Sequence, residues 1–327
     1  MRQESLLANK DQRQEVLLKR LAGELGKIEP LRLEFLRKRR KLNTWLFLIA
    51  TPIAIFASTI VVQLLLVVVF AIVIVHGIIH YFYLGKFQRR VTNLFEQEIV
   101  TGIFHEFFPE AIFSANSYIS EDEYWKSGLF THSLDSYDGD NYAKGTFGKT
   151  DICFSKLHTQ YKTKSGKHTH WHTIFEGIFM VADCNKRFKG RTLVLPDTSE
   201  RLWGGLGKWM QRKNPFAKGE MVYLENPEFE KKFVVYSTDP VEARYLLTLS
   251  MQQYILDLHR HIDQGKLYIS FVDGNVYMGL SGSFKMFKID YKLSFFEKST
   301  IEYYSKDLIH ILRAIEILDL NTRIWTK

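Results

Sequence analysis

Apolar and polar positions change their spacing along the chain, and each change predicts a different kind of element. Leu18, Leu21, Leu25, Ile28 and Phe35 recur on alternating three- and four-residue steps, with Arg32 filling the gap. That is a helix with a single apolar seam, either packed on the chain's own domain or available for self-association as a homo-oligomer. Gly23, Gly26 and Pro30 interrupt it, so the expectation is two helical pieces hinged near Pro30. Further on, Val91, Leu94, Phe95, Ile99, Ile103 and Phe107 keep a helical period, and Ser120 with Glu123 reads as a capping box opening a short helix. From about residue 137 to 195 the period becomes two. "DICFSKLHTQYKTKSGKHTHWHTIFEGIFMVAD" reads as a hairpin turning at Ser165–Gly166, and "RTLVLPD" as a further strand. "FVVYSTDPVEARYLL" is a strand entering a helix, with Asp239 as N-cap, Pro240 at the first helical position and Glu242 closing the box; Ser250 caps the next helix. "KLYISFV" and "NVYMGLS" flank Asp273–Gly274 as a second hairpin, and a last helix is expected at about 305–318.

Between those patterns lies a stretch with none. Residues 42–85 contain no Asp, Glu, Lys or Arg. As one helix they would run about 66 Å at ~1.5 Å per residue, against a hydrocarbon core of ~30 Å. Two spans fit better, about 42–60 and 63–84, turning near the polar Ser58, Thr59 and Gln63. One long span after an interfacial segment, or a re-entrant segment broken at Pro52, are the alternatives. A cleavable signal peptide is excluded because the apolar run starts late and is too long.

Charge orients the run. The first 41 residues carry 12 Lys and Arg against six Asp and Glu. Arg37, Lys38, Arg39, Arg40 and Lys41 precede the run, and Lys86, Arg89 and Arg90 follow it. Basic flanks are retained on the cytoplasmic side, so both termini and the large domain are expected in the cytoplasm, at a bacterial inner membrane. Cys153 and Cys184, 31 residues apart with no C-x-x-C, fit a reducing compartment and suggest no zinc knuckle. The expected organisation is a helical segment 1–41, a transmembrane hairpin 42–85, a juxtamembrane helix 86–116 and a cytoplasmic domain 117–327. Its fold class is α+β, antiparallel β-hairpins with packed helices.

"YDGDNYAKGTFGKTDICFSKL", "FEGIFMVADCNKRFKGRTLVLPD" and "ENPEFEKKFVVYSTDPVEARYLLT", behind paired apolar segments, resemble the bacterial membrane-protein family called domain of unknown function 3137, over roughly residues 40–290. The resemblance implies two N-terminal spans, a cytoplasmic domain and genomic company with membrane proteins of the LemA type. It implies no activity. The histidine-rich arm and the Gly/Trp stretch lie between the shared motifs.

Among chemical candidates, His168, His170 and His172 alternate along one strand, and such a row can chelate zinc because alternate side chains share a face. With the turn at Ser165–Gly166 they would pair with Thr163, Tyr161 and Thr159, no acidic residue or Cys would lie opposite, and His158 would face away. Trp171 and Phe175 would then share the other face. The plainer reading is a polar, pH-sensitive strand face. "WGGLGKWMQRK" fails as a phosphate loop, since Leu202 and Trp209 stand where Gly and Ser or Thr are needed. Trp203, Lys208, Trp209, Arg212 and Lys213 instead suit contact with anionic lipid, beside the plainer reading that the tryptophans pack within the domain and a third that they form a partner-protein surface. Asp239 reads as a cap and Glu228 and Glu230 as solvated charge. His76 and His80, one turn apart in the second span, are candidates for proton or metal handling or for interfacial anchoring. No hydrolase, zincin, dinucleotide or kinase signature occurs, and no basic run with interleaved aromatics points to nucleic acid. The expectation is a non-enzymatic scaffold or interaction protein with partners at the bilayer and no required cofactor.

Overall fold

A computed structural model describes residues 10–58, 62–109, 111–147, 150–166, 168–183, 188–197, 219–261, 265–282, 289–297, 299, 300, 302–306, 308, 309 and 311. The chain forms two compact units, one of residues 1–106 with 286–305, the other of 107–285 with 306–327. Residues 286–305 thus group with the helices rather than with the sheet that precedes them.

The helical unit opens with α1, Lys10–Ser58, which is continuous through both Pro30 and Pro52. The expected hinge at Pro30 does not form. Proline removes one N–H from the ladder, but Leu25, Ile28, Arg32 and Phe35 on either side are all buried, and the helix runs on without a break. The return path is α2, Val62–Ile79, a π-helical turn His80–Leu84, α3, Gly85–Leu94, a second π-turn Phe95–Val100, and α4, Thr101–Phe107. It runs antiparallel to α1: Leu21 lies against Gly102, the Arg20 guanidinium is 3.7 Å from the Glu106 carboxylate, and the Lys38 ammonium sits 4.5 Å over the Phe87 ring. The seam therefore packs on the chain's own return helices, where Val91, Phe95, Ile99 and Ile103 are buried. Arg32 belongs to that seam as a partnered charge. It makes a bidentate pair with Glu29 at 2.6 and 2.9 Å and donates to the Tyr291 carbonyl, while Glu29 accepts from the Phe295 N–H and the Ser294 hydroxyl. Burial pushes the Glu29 carboxyl up, but the Arg32 hydrogen bond, the Phe295 amide and the Arg32 charge together bring it below its ordinary value.

The second unit is α+β. Among the described residues nine strands form one antiparallel sheet in the order β1–β2–β3–β4–β9–β8–β5–β7–β6. These are β1, Ile112–Ser114; β2, Ser136–Phe147; β3, Thr150–Ser165; β4, His168–Asp183; β5, Thr192–Pro196; β6, Glu220–Met221; β7, Phe233–Ser237; β8, Leu267–Val272; and β9, Asn275–Ser281. One face packs Leu157, Phe175, Phe179, Leu193, Tyr236 and Tyr268 against Tyr124, Leu129 and Phe130, which come from α5, Glu121–Lys126, and the segment after it. The other face presents Phe233 to Phe229 of α6, Pro227–Glu230, and to His259 of α8, Leu249–His261, with ring centroids 5.1 and 5.3 Å apart. Asp273 and Gly274 both have positive φ, as the two-residue β8–β9 turn requires.

Several caps differ from expectation in an informative way. Asp239 caps α7, Pro240–Leu246, accepting from the Val241 and Glu242 N–H groups at 3.0 Å. Glu242 does not close that box, because its carboxylate accepts the Lys189 and Gly190 N–H groups at 3.0 and 2.6 Å. Likewise Glu123 turns to Lys126 while Ser120 caps alone, and Thr248, not Ser250, accepts from Met251 at the start of α8. Glu230 accepts from the Leu224 N–H rather than facing solvent, and Glu228 pairs with Arg260. Glu242→Ala is expected to cost about 2 kcal/mol, since two charge-assisted bonds to backbone are lost. Glu228→Ala, which removes an exposed pair, should cost under ~0.5 kcal/mol. Urea titrations of the two variants check the contrast.

Candidate functional site

Among the described residues, the β3–β4 hairpin continues past the strands that pair with it. β2 pairs with β3 only as far as Gln160, and β9 pairs with β4 only from Gly177 onward. Residues 161–173 are therefore a two-stranded arm, and none of its described residues is buried. The histidine row lies along it. Its register differs from the one expected: His168, His170 and His172 face Ser165, Thr163 and Tyr161. Gly166 takes φ +60° as the first residue of the two-residue loop, which moves the turn one position onward. His158 stays off that face, its Nε2 3.5 Å from the Thr173 hydroxyl.

A bulge separates the arm from the sheet. Thr159 pairs with Phe175 and Gln160 with Thr173, leaving Ile174 as the extra residue. The bulge inverts the alternation, so Trp171 and Phe175 lie on opposite faces, not on one. The histidines consequently share the side of Phe175 and the buried core, and there His132 stacks on Tyr161 and Tyr161 on His172, each at 4.9 Å. His172 also meets the Thr163 hydroxyl at 2.9 Å. His132 is far away in sequence, and no local spacing could have placed it. Among the described residues no three His, Cys, Asp or Glu side chains are arranged to hold a metal ion. The opposite side of the arm carries Trp171, about half exposed, with the Lys162 ammonium 5.8 Å over its ring. Asp135 fixes the root of the arm, accepting the Lys162 N–H at 2.9 Å and lying 3.2 Å from its ammonium.

At the bulge a surface cavity of about 400 Å³ opens between Phe175, Glu176, Lys266, Tyr268 and Ser281. Burial pushes the Tyr268 phenol up to about 12, so it enters the cavity wall as a neutral group. Gly177 makes the adjoining strand pairing possible. Its φ is +156°, and a Cβ there would lie 2.0 Å from the Leu280 carbonyl oxygen.

In the helical unit Arg37, Arg39, Arg40, Lys41, Lys86, Arg89 and Arg90 are exposed, and Lys38 is half-buried in its pair with Glu34. Between these basic groups both helices show apolar side chains to the outside. Phe47, Phe56, Phe70 and Phe82 are 67–70% exposed, and Trp45, Ile55, Val67, Val73 and Ile78 are exposed with them. By length and composition one helical run, Val67–Glu106, is long and apolar enough to cross a membrane. His76 and His80 face each other at 6.0 Å. Trp203, Lys208, Trp209, Arg212, Lys213 and Cys184 lie outside the described residues, as does most of the helix expected at 305–318, although residues 302–306 are helical.

Residues 173–320 match the family model described as "Protein of unknown function (DUF3137)". The match begins within the arm, after the apolar segments and the 137–157 motif. No curated protein matches the chain. Among solved structures, the mycobacterial trehalose monomycolate transport factor A, TtfA, is similar at 10% identity with a TM-score of 0.31, covering 61% of this chain and 88% of that one.

Proposed function

We propose that this chain, which carries the DUF3137 domain of unknown function over residues 173–320, is a membrane-anchored, non-enzymatic interaction protein. In this reading α1 from about residue 42 and α2 cross the bacterial inner membrane as a hairpin and hold the sheet unit in the cytoplasm. One observation carries it: large apolar side chains ring both antiparallel helices from Trp45 to Phe56 and from Val67 to Tyr83. Burying a Phe or Ile side chain is worth about 1.5–3 kcal/mol, so leaving such a band in water is strongly disfavoured and a hydrocarbon environment is favoured. Basic residues bracket the band at Arg37–Lys41 and Lys86–Arg90, which retains both ends on the cytoplasmic side.

Anchoring would work by confinement, raising the local concentration of the sheet unit for protein partners in the same membrane. Alkaline carbonate should leave the full-length protein in the membrane pellet. A cysteine at Thr59 should react with an impermeant maleimide in intact cells, and one at Glu228 only after permeabilisation. Release by carbonate, or the reverse labelling, overturns the reading.

A further inference from the structure

We propose that the β3–β4 arm docks onto the surface of an anionic bilayer through its Lys162–Lys164–Trp171 side. The inference rests on the membrane-anchor reading above and adds a second, reversible contact to it. From Gln160 to Thr173 the sequence has no Asp or Glu but three Lys, three His and Trp171. Because the β3–β4 register pairs Lys162 with Trp171 and Lys164 with Thr169, these four side chains share one face of the arm. That face is not needed by the fold. Among the described residues the arm extends past both neighbouring strands, and a two-stranded hairpin contributes little stability in water.

Its chemistry is that of the interfacial zone. An exposed indole prefers the headgroup level of a bilayer, and each basic side chain near an anionic surface is attracted by about 1 kcal/mol. The Lys162 ammonium over the Trp171 ring places both kinds of group on one spot. Asp135 sits at the root of the arm, where it accepts the Lys162 N–H and pairs with the Lys162 ammonium, while Lys164 acts on it only through space. An acidic protein could also take the lysines and the indole, and the poly-glutamate arm of the test below separates that occupant from the bilayer. Anchoring of the same chain would make such a contact intramolecular, which is how a weak attraction becomes populated.

The test uses full-length protein reconstituted in vesicles, with Thr169→Cys carrying a polarity-sensitive dye in a Cys153→Ser, Cys184→Ser background. The dye should shift to the blue in vesicles containing phosphatidylglycerol, stay unshifted in pure phosphatidylcholine, and revert at high salt. Lys164→Gln should lower the docked-to-free ratio about fivefold, one charge at the attraction stated above, and Trp171→Ala should lower it with the lysines intact. Lys162 is kept in the first variant so that its bond to Asp135 survives. Equal dye spectra in the two lipids, or a response to a soluble poly-glutamate peptide but not to phosphatidylglycerol, overturn the proposal. Flotation with the vesicles reads anchoring separately: protein that floats without a dye shift loses only the arm contact, and protein that does not float loses the anchor.

Discussion

Gly177→Ala is expected to destabilise the sheet unit by about 3 kcal/mol or more, combining left-handed backbone strain of about 1–3 kcal/mol with a collision that only strand movement can relieve. The added methyl would stand 2.0 Å from the Leu280 carbonyl oxygen and 2.8 Å from the Ser281 Cα, both backbone atoms of β9. Pairing of β4 with β9 starts at Gly177↔Ser281, so the strain falls at the first rung of that ladder. Gly166 also has positive φ but nothing within 4 Å of its missing Cβ. Gly166→Ala should therefore cost only the left-handed penalty, about 1 kcal/mol. For a unit of this size the first variant should melt about 6 °C or more lower and the second a few degrees lower, followed by far-ultraviolet circular dichroism. Equal melting of the two variants would show that the close approach at Gly177 is not what constrains the residue.

Arg32→Met is the second large expected effect, about 3–5 kcal/mol, because it strands the Glu29 carboxylate in the seam of the helical unit. The two side chains are only 6% and 8% exposed, and the pair also ties down Tyr291, Ser294 and Phe295. Amide exchange at Phe295, whose N–H binds Glu29, should accelerate by roughly two orders of magnitude. A Glu29→Met, Arg32→Met double variant should recover most of the loss, since a buried ion pair replaced by apolar groups of similar size is often neutral. The pH dependence has a definite sign. Glu29 lies below its ordinary value in the folded chain, so its contribution is complete above the ordinary carboxylate range and is lost as pH falls out of that range through the lower folded value. In Arg32→Met burial prevails, the carboxyl rises, and protection of Phe295 should improve as the pH is lowered. Exchange at Phe295 in Arg32→Met that matches the unmodified chain would remove the pair as a tie on that segment.

Local order was readable in the residues alone. The helical seam Leu21–Leu25–Ile28–Phe35 is the face that is buried, with Arg32 in the gap as a paired charge. Asp239–Pro240 does start a helix, Asp273–Gly274 does turn a hairpin, and the motif match returned the family found over residues 173–320. Those features depend on side-chain periodicity, capping and turn chemistry, all of which act within a few residues.

What went unread depends on partners distant in sequence. The seam keeps α1 helical through Pro30 because the return helices bury it, which no local rule for proline contains. Glu242 leaves its box for the amides of Lys189 and Gly190, more than fifty positions earlier, because a charged acceptor gains more from two orphaned donors than from the cap.

The histidine row shows the same division. Its alternation and its polar surroundings were determined by the sequence itself, and so was the charge-free stretch from Leu42 to Gly85. The one-residue bulge at Ile174, the stacking of His132 on Tyr161 and the reach of the arm past β2 and β9 were decided only by the tertiary structure. A single extra residue in a strand inverts which face each later side chain takes, and where that residue falls is set by the packing of Phe175 into the core rather than by any preference of the strand.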